Sequence, residues 1–265
     1  MQLFAKRPKH PCLIGVVHLQ ALPGAPVGAS SLQEVIERAL KDAQTLVAGG
    51  ADGLIVENYG DAPFAASEVD LPTVAMMTRI ATEISTLAKP QWLGINVLRN
   101  DATAALSVAL ASHAHFIRVN VHTGVMATDQ GIITGEARAT LQLKKRFELS
   151  TKIAADVHVK HASPLTSMSI GQTAKDTYYR GKADALIVTG KGTGAGVDLQ
   201  DLQEVQSAVP EAPIWIGSGI HPDNLSAYLG LFDTAIVGTC LHRNGQISEP
   251  VELRRVEEMA KLFRR

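Results

Sequence analysis

Polar side chains that can move protons or bind a ligand lie at or near the ends of several short apolar runs. Five successive runs supply them, and the set comprises His18, Glu57, Asn96, Arg118, Asn120, Asp156 and His158. Two carboxylates in different environments can divide the roles of general acid and base, and a histidine can replace either one. We therefore predict as catalytic residues Asp156, Glu57, His18 and His158.

Amide and basic side chains in the same set suit recognition of a sugar-like substrate. Asn96 and Asn120 would orient hydroxyl groups, Arg118 would position a carboxylate, and Lys160 would lie at the mouth of the site. The segment TGKGTGAGVD (189–198) begins at Thr189 and contains four glycines, so it could close over a ligand as a lid. We predict that Thr189 and Lys191 bind substrate, and Lys191 is the residue of this loop best able to reach an anionic group.

Two glycine-containing segments predict an anion site. They are IGSGI (216–220) and VGTCL (237–241), and each follows an apolar run. Small residues let backbone N–H groups approach an anion at the start of a helix. The predicted phosphate-binding residues are Gly217, Ser218, Gly219, Gly238 and Thr239.

The runs that carry these residues alternate with stretches of helical periodicity, which predicts strand–helix units. The apolar runs span 12–18, 52–58, 92–98, 115–121, 152–159, 184–190, 213–219 and 233–239. The helical stretches span 31–50, 72–88, 101–112, 136–149, 171–181, 198–208, 222–230 and 249–264. Eight such units in about 250 residues predict an α/β protein with a (β/α)8 TIM barrel. An open doubly wound sheet is disfavoured because no GxGxxG follows the first run.

Alternation along the runs predicts which side chains face the barrel interior. Residues that face the helices should be apolar, and we assign this orientation to Val17, Leu54, Val56, Ile95, Val97, Val119, Val121, Val157 and Val159. The polar residues between them then point inward near the carboxyl ends of the strands. That rim of the barrel is where TIM-barrel enzymes hold their active sites.

Composition excludes several classes of protein. The chain has 265 residues, 46% of them hydrophobic, and a net charge of −1, so neither a disordered chain nor a generic nucleic-acid binder is indicated. No apolar run approaches the roughly 18 residues of a membrane span, and Cys12 and Cys240 are too few for a disulfide framework. We expect one domain over residues 1–265, free thiols and a cytoplasmic location. A divalent metal is the one cofactor considered, at HVKH (158–161) with Asp156, although the spacing matches no closed structural site.

Several segments together resemble the BtpA family over residues 13–260. They are GVVHLQALPGAP (15–26), IVENYGDAPF (55–64), IRVNVHTGVMATDQGII (117–133), ADVHVKHA (155–162), VTGKGTG with Asp198, IGSGI and IVGTCLHRNGQISEPV. The family takes its name from a photosystem I biogenesis protein and includes SgcQ-type proteins of sugar-utilisation gene clusters. The resemblance implies a fold similar to the ribulose-phosphate-binding and phosphoribosylanthranilate-isomerase-like barrels, with a phosphorylated small-molecule ligand. It also implies that Asn58 and Asp61 bind substrate, and its matched positions include His122.

Three functions are compatible with the sequence. The first is an enzyme that acts on a phosphorylated sugar or a ribosyl compound, as an isomerase or by cleaving a glycosidic bond. The second is a non-catalytic assembly or stabilising factor for photosystem I, and the third is a barrel that senses a metabolite. Barrels of this kind commonly form homo-oligomers, but no feature of the sequence fixes the number of subunits.

Overall fold

Eight parallel strands form the closed barrel that positions the candidate site. The structure is a computed structural model that describes residues 3–28, 30–190 and 196–264. The barrel strands are β1 (Cys12–His18), β2 (Gly53–Glu57), β3 (Leu93–Asn96), β4 (Phe116–Val119), β7 (Lys152–Asp156), β9 (Ala185–Val188), β10 (Ile214–Ile216) and β11 (Thr234–Val237). They pair in that order, and β11 returns to β1. The predicted (β/α)8 TIM barrel is therefore confirmed.

A helix follows each barrel strand along the chain. They are α1 (Leu32–Ala48), α2 (Leu71–Leu87), α3 (Ala102–Ser112), α4 (Ala137–Arg146), α5 (Ile170–Lys175), α6 (Leu199–Ala208), α7 (Leu225–Tyr228) and α8 (Leu253–Phe263). The capping box of α1 is formed by Ser31 and Glu34, and the helix ends at Gly49 and Gly50, the second with φ of +91°. The two last helices are shorter than predicted, since α7 begins after Pro222 and α8 begins after Pro250.

The predicted alternation of side chains holds along the barrel strands. The outer apolar layer between strands and helices contains Val17, Leu54, Val56, Ile95, Val97, Val119 and Val157. A separate apolar cluster fills the amino-terminal half of the barrel interior. There the ring of Trp215 lies 5.0 Å from that of Phe4 and 5.3 Å from that of Phe116, and Leu3 is also buried. The amino-terminal segment thus closes the floor of the barrel.

A three-stranded antiparallel sheet was missing from the predicted architecture. Its strands are β5 (Val125–Thr128), β6 (Gly131–Thr134) and β8 (Ala162–Pro164), with β5 in the centre. The sheet buries Val121 and Val159 with Met126 and Ile133. The prediction that Val121 and Val159 face helices was wrong, because β4 and β7 leave the barrel at Val119 and Asp156 and strand alternation then no longer fixes the direction of the side chains.

Side-chain acceptors form hydrogen bonds with the backbone at the start of every second barrel strand. The residue before β2, β4, β9 or β11 accepts a hydrogen bond from a backbone N–H near the start of the neighbouring strand. The pairs are Asp52 with Leu13 (2.8 Å), His115 with Leu93 (3.1 Å), Asp184 with Ile153 (2.9 Å) and Asp233 with Ile214 (2.8 Å). These contacts satisfy backbone donors that lie at the floor of the barrel, outside the regular ladder.

Among the described residues, no helix is both long enough and apolar enough to cross a bilayer. Cys12 and Cys240 are free thiols, as predicted. Cys12 lies inside the floor of the barrel, where burial raises its pKa to about 11.

The Asp52 carboxylate offers a test of these hydrogen bonds at the floor of the barrel. We expect Asp52→Ala to lower the free energy of unfolding by about 1–3 kcal/mol, because the Leu13 N–H loses its partner. Asp52→Asn should be milder, since the amide oxygen can still accept. Asp70→Ala is the matched control because the exposed Asp70 carboxylate makes no capping bond to α2. Equal urea denaturation midpoints for Asp52→Ala and Asp70→Ala would contradict the assignment.

Candidate functional site

Two adjoining cavities open at the carboxyl ends of the barrel strands. The glycine compartment, of about 310 Å³, is lined by the residues after β10 and β11. The amide compartment, of about 490 Å³, is lined by Asn96, Asn120 and the loop residues around Arg99. Four side chains border both compartments, namely Glu57, Tyr59, Arg118 and Lys160. One ligand that spans both compartments would therefore contact these four groups.

All five predicted phosphate-binding residues border the glycine compartment. They are Gly217, Ser218, Gly219, Gly238 and Thr239. The Ser218 hydroxyl is buried and has no hydrogen-bond partner among the described residues. A buried hydroxyl without a partner is unfavourable in the empty cavity and becomes favourable when a ligand oxygen reaches it. Gly219 has φ of +79°, a backbone conformation that favours glycine.

Strand register sets three of the polar side chains side by side. His18 of β1 pairs laterally with Glu57 of β2, and Glu57 pairs with Asn96 of β3. The Asn96 amide nitrogen donates to a carboxylate oxygen of Glu57 at 2.6 Å, while the Asn96 amide oxygen is buried without a described partner. Because strands rather than loops carry these groups, their relative positions are held by the barrel ladder.

Arg118 of β4 and Asp156 of β7 form a buried ion pair. The guanidinium Nε and Nη2 donate to the two carboxylate oxygens at 3.0 and 2.9 Å, and the Asn120 amide donates to the same carboxylate at 3.2 Å. Burial opposes the charge of Arg118, but the Asp156 and Glu57 carboxylates together outweigh it, so the pKa of Arg118 is raised. Catalysis by Asp156 stays a prediction, and the pairing of both its oxygens favours a role in positioning Arg118 and Asn120.

The remaining cations at the mouth carry no such bidentate partner among the described residues. Burial lowers the pKa of Lys160, and the Glu57 carboxylate opposes this shift. Arg99 is also buried, which lowers its pKa, and its guanidinium donates to the Lys160 carbonyl at 2.6 Å. A desolvated ammonium loses its proton more readily than one in water, so Lys160 can bind an anion or move a proton.

The structure places Asn58 and Asp61 in the wall rather than in either compartment. The Asn58 amide oxygen accepts from the Leu98 N–H at 2.7 Å, and its nitrogen donates to Asp61. The other carboxylate oxygen of Asp61 accepts from the Leu22 N–H at 2.8 Å. Burial raises the pKa of Asp61. Their predicted substrate contacts stay predictions, and the observed bonds hold the loops after β1 and β3 together.

His158 and Thr189 also lie outside both compartments. The His158 Nε2 is 3.1 Å from the Thr173 hydroxyl on α5, and the Thr189 hydroxyl donates to the His158 carbonyl at 3.0 Å. The expected inward orientation of His158 fails because β7 ends at Asp156. Lys191 is outside the described residues.

His122, implied by the family resemblance, is buried against a different part of the molecule. Its Nε2 is 2.8 Å from the Gly181 carbonyl, at the end of the π-helical turn that continues α5. It borders a groove beside α4 and neither of the two mouth compartments.

Sequence reasoning missed four side chains of the mouth. Tyr59 and Arg99 each follow a predicted run directly, and the rule that selected Lys160 would also have selected them. Asp129 lies at the tip of the β5–β6 hairpin and borders the amide compartment, although no hairpin was predicted there. His242 contacts His18 and lies in the segment IVGTCLHRNGQISEPV, but no spacing rule distinguishes it.

The residues considered for a metal are dispersed. Asp156 is held by Arg118 and His158 by Thr173, so HVKH does not form a ligand set with Asp156. The described part of the chain contains no group of three or more His, Cys, Asp or Glu side chains that could hold an ion.

Comparison with known proteins places this barrel in a family. The model of the BtpA family matches residues 9–265. The chain belongs to the BtpA family. It is 44% identical to the photosystem I biogenesis protein BtpA of Synechocystis over 97% of the chain and 89% of that protein. It is also 44% identical to an uncharacterised protein of Pyrococcus horikoshii, over 95% of both, and 29% identical to an uncharacterised mitochondrial protein of Caenorhabditis elegans, over 95% and 92%.

Solved structures of similar fold are also barrels. N-(5′-phosphoribosyl)anthranilate isomerase from Pyrococcus furiosus superimposes with a TM-score of 0.55 at 12% identity, covering 94% of this chain and 97% of that one. KGPDC from Streptococcus mutans gives a TM-score of 0.57 at 11% identity, covering 96% and 97%. At this level of identity, the likeness establishes that this BtpA-family chain has the fold, and nothing about its reaction.

The two carboxylates of this BtpA-family site should respond differently to neutralisation. We expect Asp156→Asn to lower the free energy of unfolding by about 3–5 kcal/mol, because it leaves the Arg118 charge buried without its partner. Glu57→Gln is the matched control, since Glu57 borders open cavity and the amide can still accept from Asn96; its effect should be about 1 kcal/mol or less. Chemical denaturation of both variants tests the difference, and equal losses would contradict it.

Proposed function

We propose that this protein is an enzyme that transfers a proton on a small phosphorylated sugar-like substrate, most simply as an isomerase. The phosphate would occupy the glycine compartment and the reacting carbons would lie beside Glu57 and Lys160. The observation that carries the proposal is the convergence, in one cavity, of two glycine turns, the His18 imidazole and a Ser218 hydroxyl that has no partner among the described residues. A phosphate site beside an imidazole allows a proton to be transferred on a carbon close to the phosphate group.

The acid–base groups follow from the geometry of the mouth. His18 and Glu57 border the glycine compartment from neighbouring strands, and Lys160 borders it from the loop after β7. His18 would accept a proton from substrate, and Glu57 or Lys160 would act at the adjacent oxygen. The unpartnered amide oxygens of Asn96 and Asn120 would accept hydrogen bonds from substrate hydroxyl groups.

Proton transfer fits the observed site better than glycosidic-bond cleavage. Cleavage generally requires two carboxylates that flank the scissile bond. Here Asp156 has both oxygens engaged by Arg118, which leaves Glu57 as the carboxylate that borders both compartments near the strand ends. Asp129 borders the amide compartment from the β5–β6 hairpin, but it does not line the glycine compartment where the phosphate would lie. One strand-borne carboxylate that borders both compartments, with a histidine and a lysine, supports the isomerase class.

A second candidate function comes from one relative. The Synechocystis protein, 44% identical to this chain, is named a photosystem I biogenesis protein. An assembly factor needs a partner surface and no ligand-filled barrel mouth. Co-purification of photosystem subunits, together with no stabilisation by any phosphorylated compound, would favour this function over the enzymatic one.

Binding of phosphorylated compounds is the first test of the proposal. A panel of pentose and hexose phosphates should contain a compound that raises the thermal midpoint, because a ligand at 100 times its Kd stabilises by about 2.7 kcal/mol. Ser218→Asp should abolish the shift by placing a negative charge in the glycine compartment. Ser218→Asn is the uncharged control of similar shape and should retain part of it. We choose Ser218 over Gly219 because a side chain at the positive φ of Gly219 would add strain.

Either of two results would contradict the phosphate site. One is the absence of any shift in the wild type with every phosphorylated compound. The other is an equal shift in Ser218→Asp and Ser218→Asn.

The pH profile tests His18 as the base. Burial lowers the pKa of His18 well below 6.5, and the nearby His242 and Lys160 add to this shift. A base must be unprotonated, so kcat/KM should persist below pH 6.5 and fall only at more acidic pH. His18→Asn should reduce kcat by about 10²–10⁴-fold and remove this acidic limb. An acidic limb centred at or above pH 6.5 in the wild type would argue against His18 as the base.

A further inference from the structure

His18 belongs to a chain of hydrogen bonds that leads away from the cavity. Its Nδ1 lies 3.1 Å from Nε2 of His242, which follows the short turn after β11. The Nδ1 of His242 lies 2.7 Å from the backbone carbonyl oxygen of Glu249. The same carbonyl accepts from the Arg38 guanidinium, which is held in place by Asp42 at 2.7 Å.

The direction of each bond in this chain can be derived from its fixed end. A carbonyl oxygen only accepts, so Nδ1 of His242 carries the hydrogen. A neutral imidazole has one N–H, so Nε2 of His242 is an acceptor and Nδ1 of His18 must be the donor. The Nε2 of His18 is then left with a free lone pair.

Burial favours the neutral form of both imidazole rings. It lowers the pKa of His18 and of His242, and for His242 the Asp42 carboxylate and the Glu249 carbonyl oppose the shift while Arg38 adds to it. Protonating either ring would place a charge in a desolvated position, which is unfavourable without a carboxylate partner.

The free lone pair lies at the wall of the glycine compartment. A Cβ built on Gly238 would be 2.6 Å from Cε1 and 3.1 Å from Nε2 of His18. This edge of the ring is therefore approachable because residue 238 has no side chain. The ring of Tyr59 packs edge-on against His18 at 5.1 Å and restricts its rotation.

We propose that His242 is a positioning residue that fixes His18 as the Nδ1–H tautomer and thereby presents Nε2 as the general base of the glycine compartment. The base role rests on the proposed function, whereas the tautomer does not. In the forward step the substrate C–H bond breaks, its electron pair stays on the substrate as an enediolate, and the proton bonds to Nε2. The His18 imidazolium keeps its Nδ1–H hydrogen bond to His242. Glu57 or Lys160 moves the hydroxyl proton of the enediolate from one oxygen to the other, and return of the proton from Nε2 to the neighbouring carbon completes the isomerisation and regenerates the base.

The tautomer can be measured on the whole protein without a substrate. Long-range ¹H–¹⁵N correlation spectra of ¹⁵N-labelled protein near pH 8 should show His18 as Nδ1–H alone. His242→Phe keeps a planar ring but removes the acceptor, so the spectrum should change to a mixture or to Nε2–H. His242→Gln can accept through its amide oxygen and should restore Nδ1–H. His10→Phe, outside the mouth, is the control that should leave the His18 signals unchanged.

Two results would overturn the proposal. One is a wild-type His18 that carries its proton on Nε2, and the other is a His18 tautomer that His242→Phe does not alter. The wild-type spectrum decides the first even if a variant fails to fold.

Failure of the proposed function is separately visible. If His18 is a fixed Nδ1–H tautomer but no phosphorylated compound stabilises the protein, the positioning role of His242 stands and the proposed phosphorylated substrate is rejected. With a turned-over substrate in hand, His242→Phe should lower kcat about 100-fold with little change in KM, and His242→Gln should recover part of the loss. An unchanged kcat in His242→Phe would reject the positioning role.

Discussion

A guanidinium enclosed by the barrel determines how the mouth of this protein is arranged. Arg118 cannot become neutral at any ordinary pH, so its burial requires a permanent anion. Asp156 supplies it from the next strand, with two hydrogen bonds to the carboxylate. The Asn120 amide nitrogen joins the same carboxylate, which turns the Asn120 oxygen away from it and leaves that oxygen without a described partner. One charge requirement therefore orients three side chains.

This pairing also divides the two carboxylates of the mouth by role. Both carboxylate oxygens of Asp156 accept hydrogen bonds from Arg118. One carboxylate oxygen of Glu57 accepts from Asn96, and Glu57 borders both compartments. Neutralising the first would leave a buried charge, while neutralising the second would alter a surface that ligand can reach. The same functional group thus has an ion-pair partner in Asp156 and access to both cavities in Glu57, three strands apart in the barrel.

Sequence patterns predicted the parts of this molecule that depend on periodicity. Strand number, inward and outward faces, and the row of His18, Glu57 and Asn96 follow from alternation within barrel strands. The predictions failed where the chain leaves the barrel ladder. Val121, Val159 and His158 lie beyond the ends of β4 and β7, and their orientations come from contacts with the antiparallel sheet and with α5. Those contacts join segments remote in sequence, so no local pattern encodes them.

The barrel interior has an apolar layer at its floor and a polar layer at its mouth, and His18 lies at the boundary between them. Below, Trp215, Phe116 and Leu3 exclude water from the floor; above, the ionic groups are paired or face the cavities. A histidine at the boundary loses hydration and stays unprotonated, yet it needs a defined tautomer to present its lone pair to the cavity. His242 can impose that tautomer because its own far nitrogen is committed to a carbonyl that cannot donate. The tautomer of His18 is thus set by the Glu249 carbonyl oxygen, which lies two hydrogen bonds away from its ring.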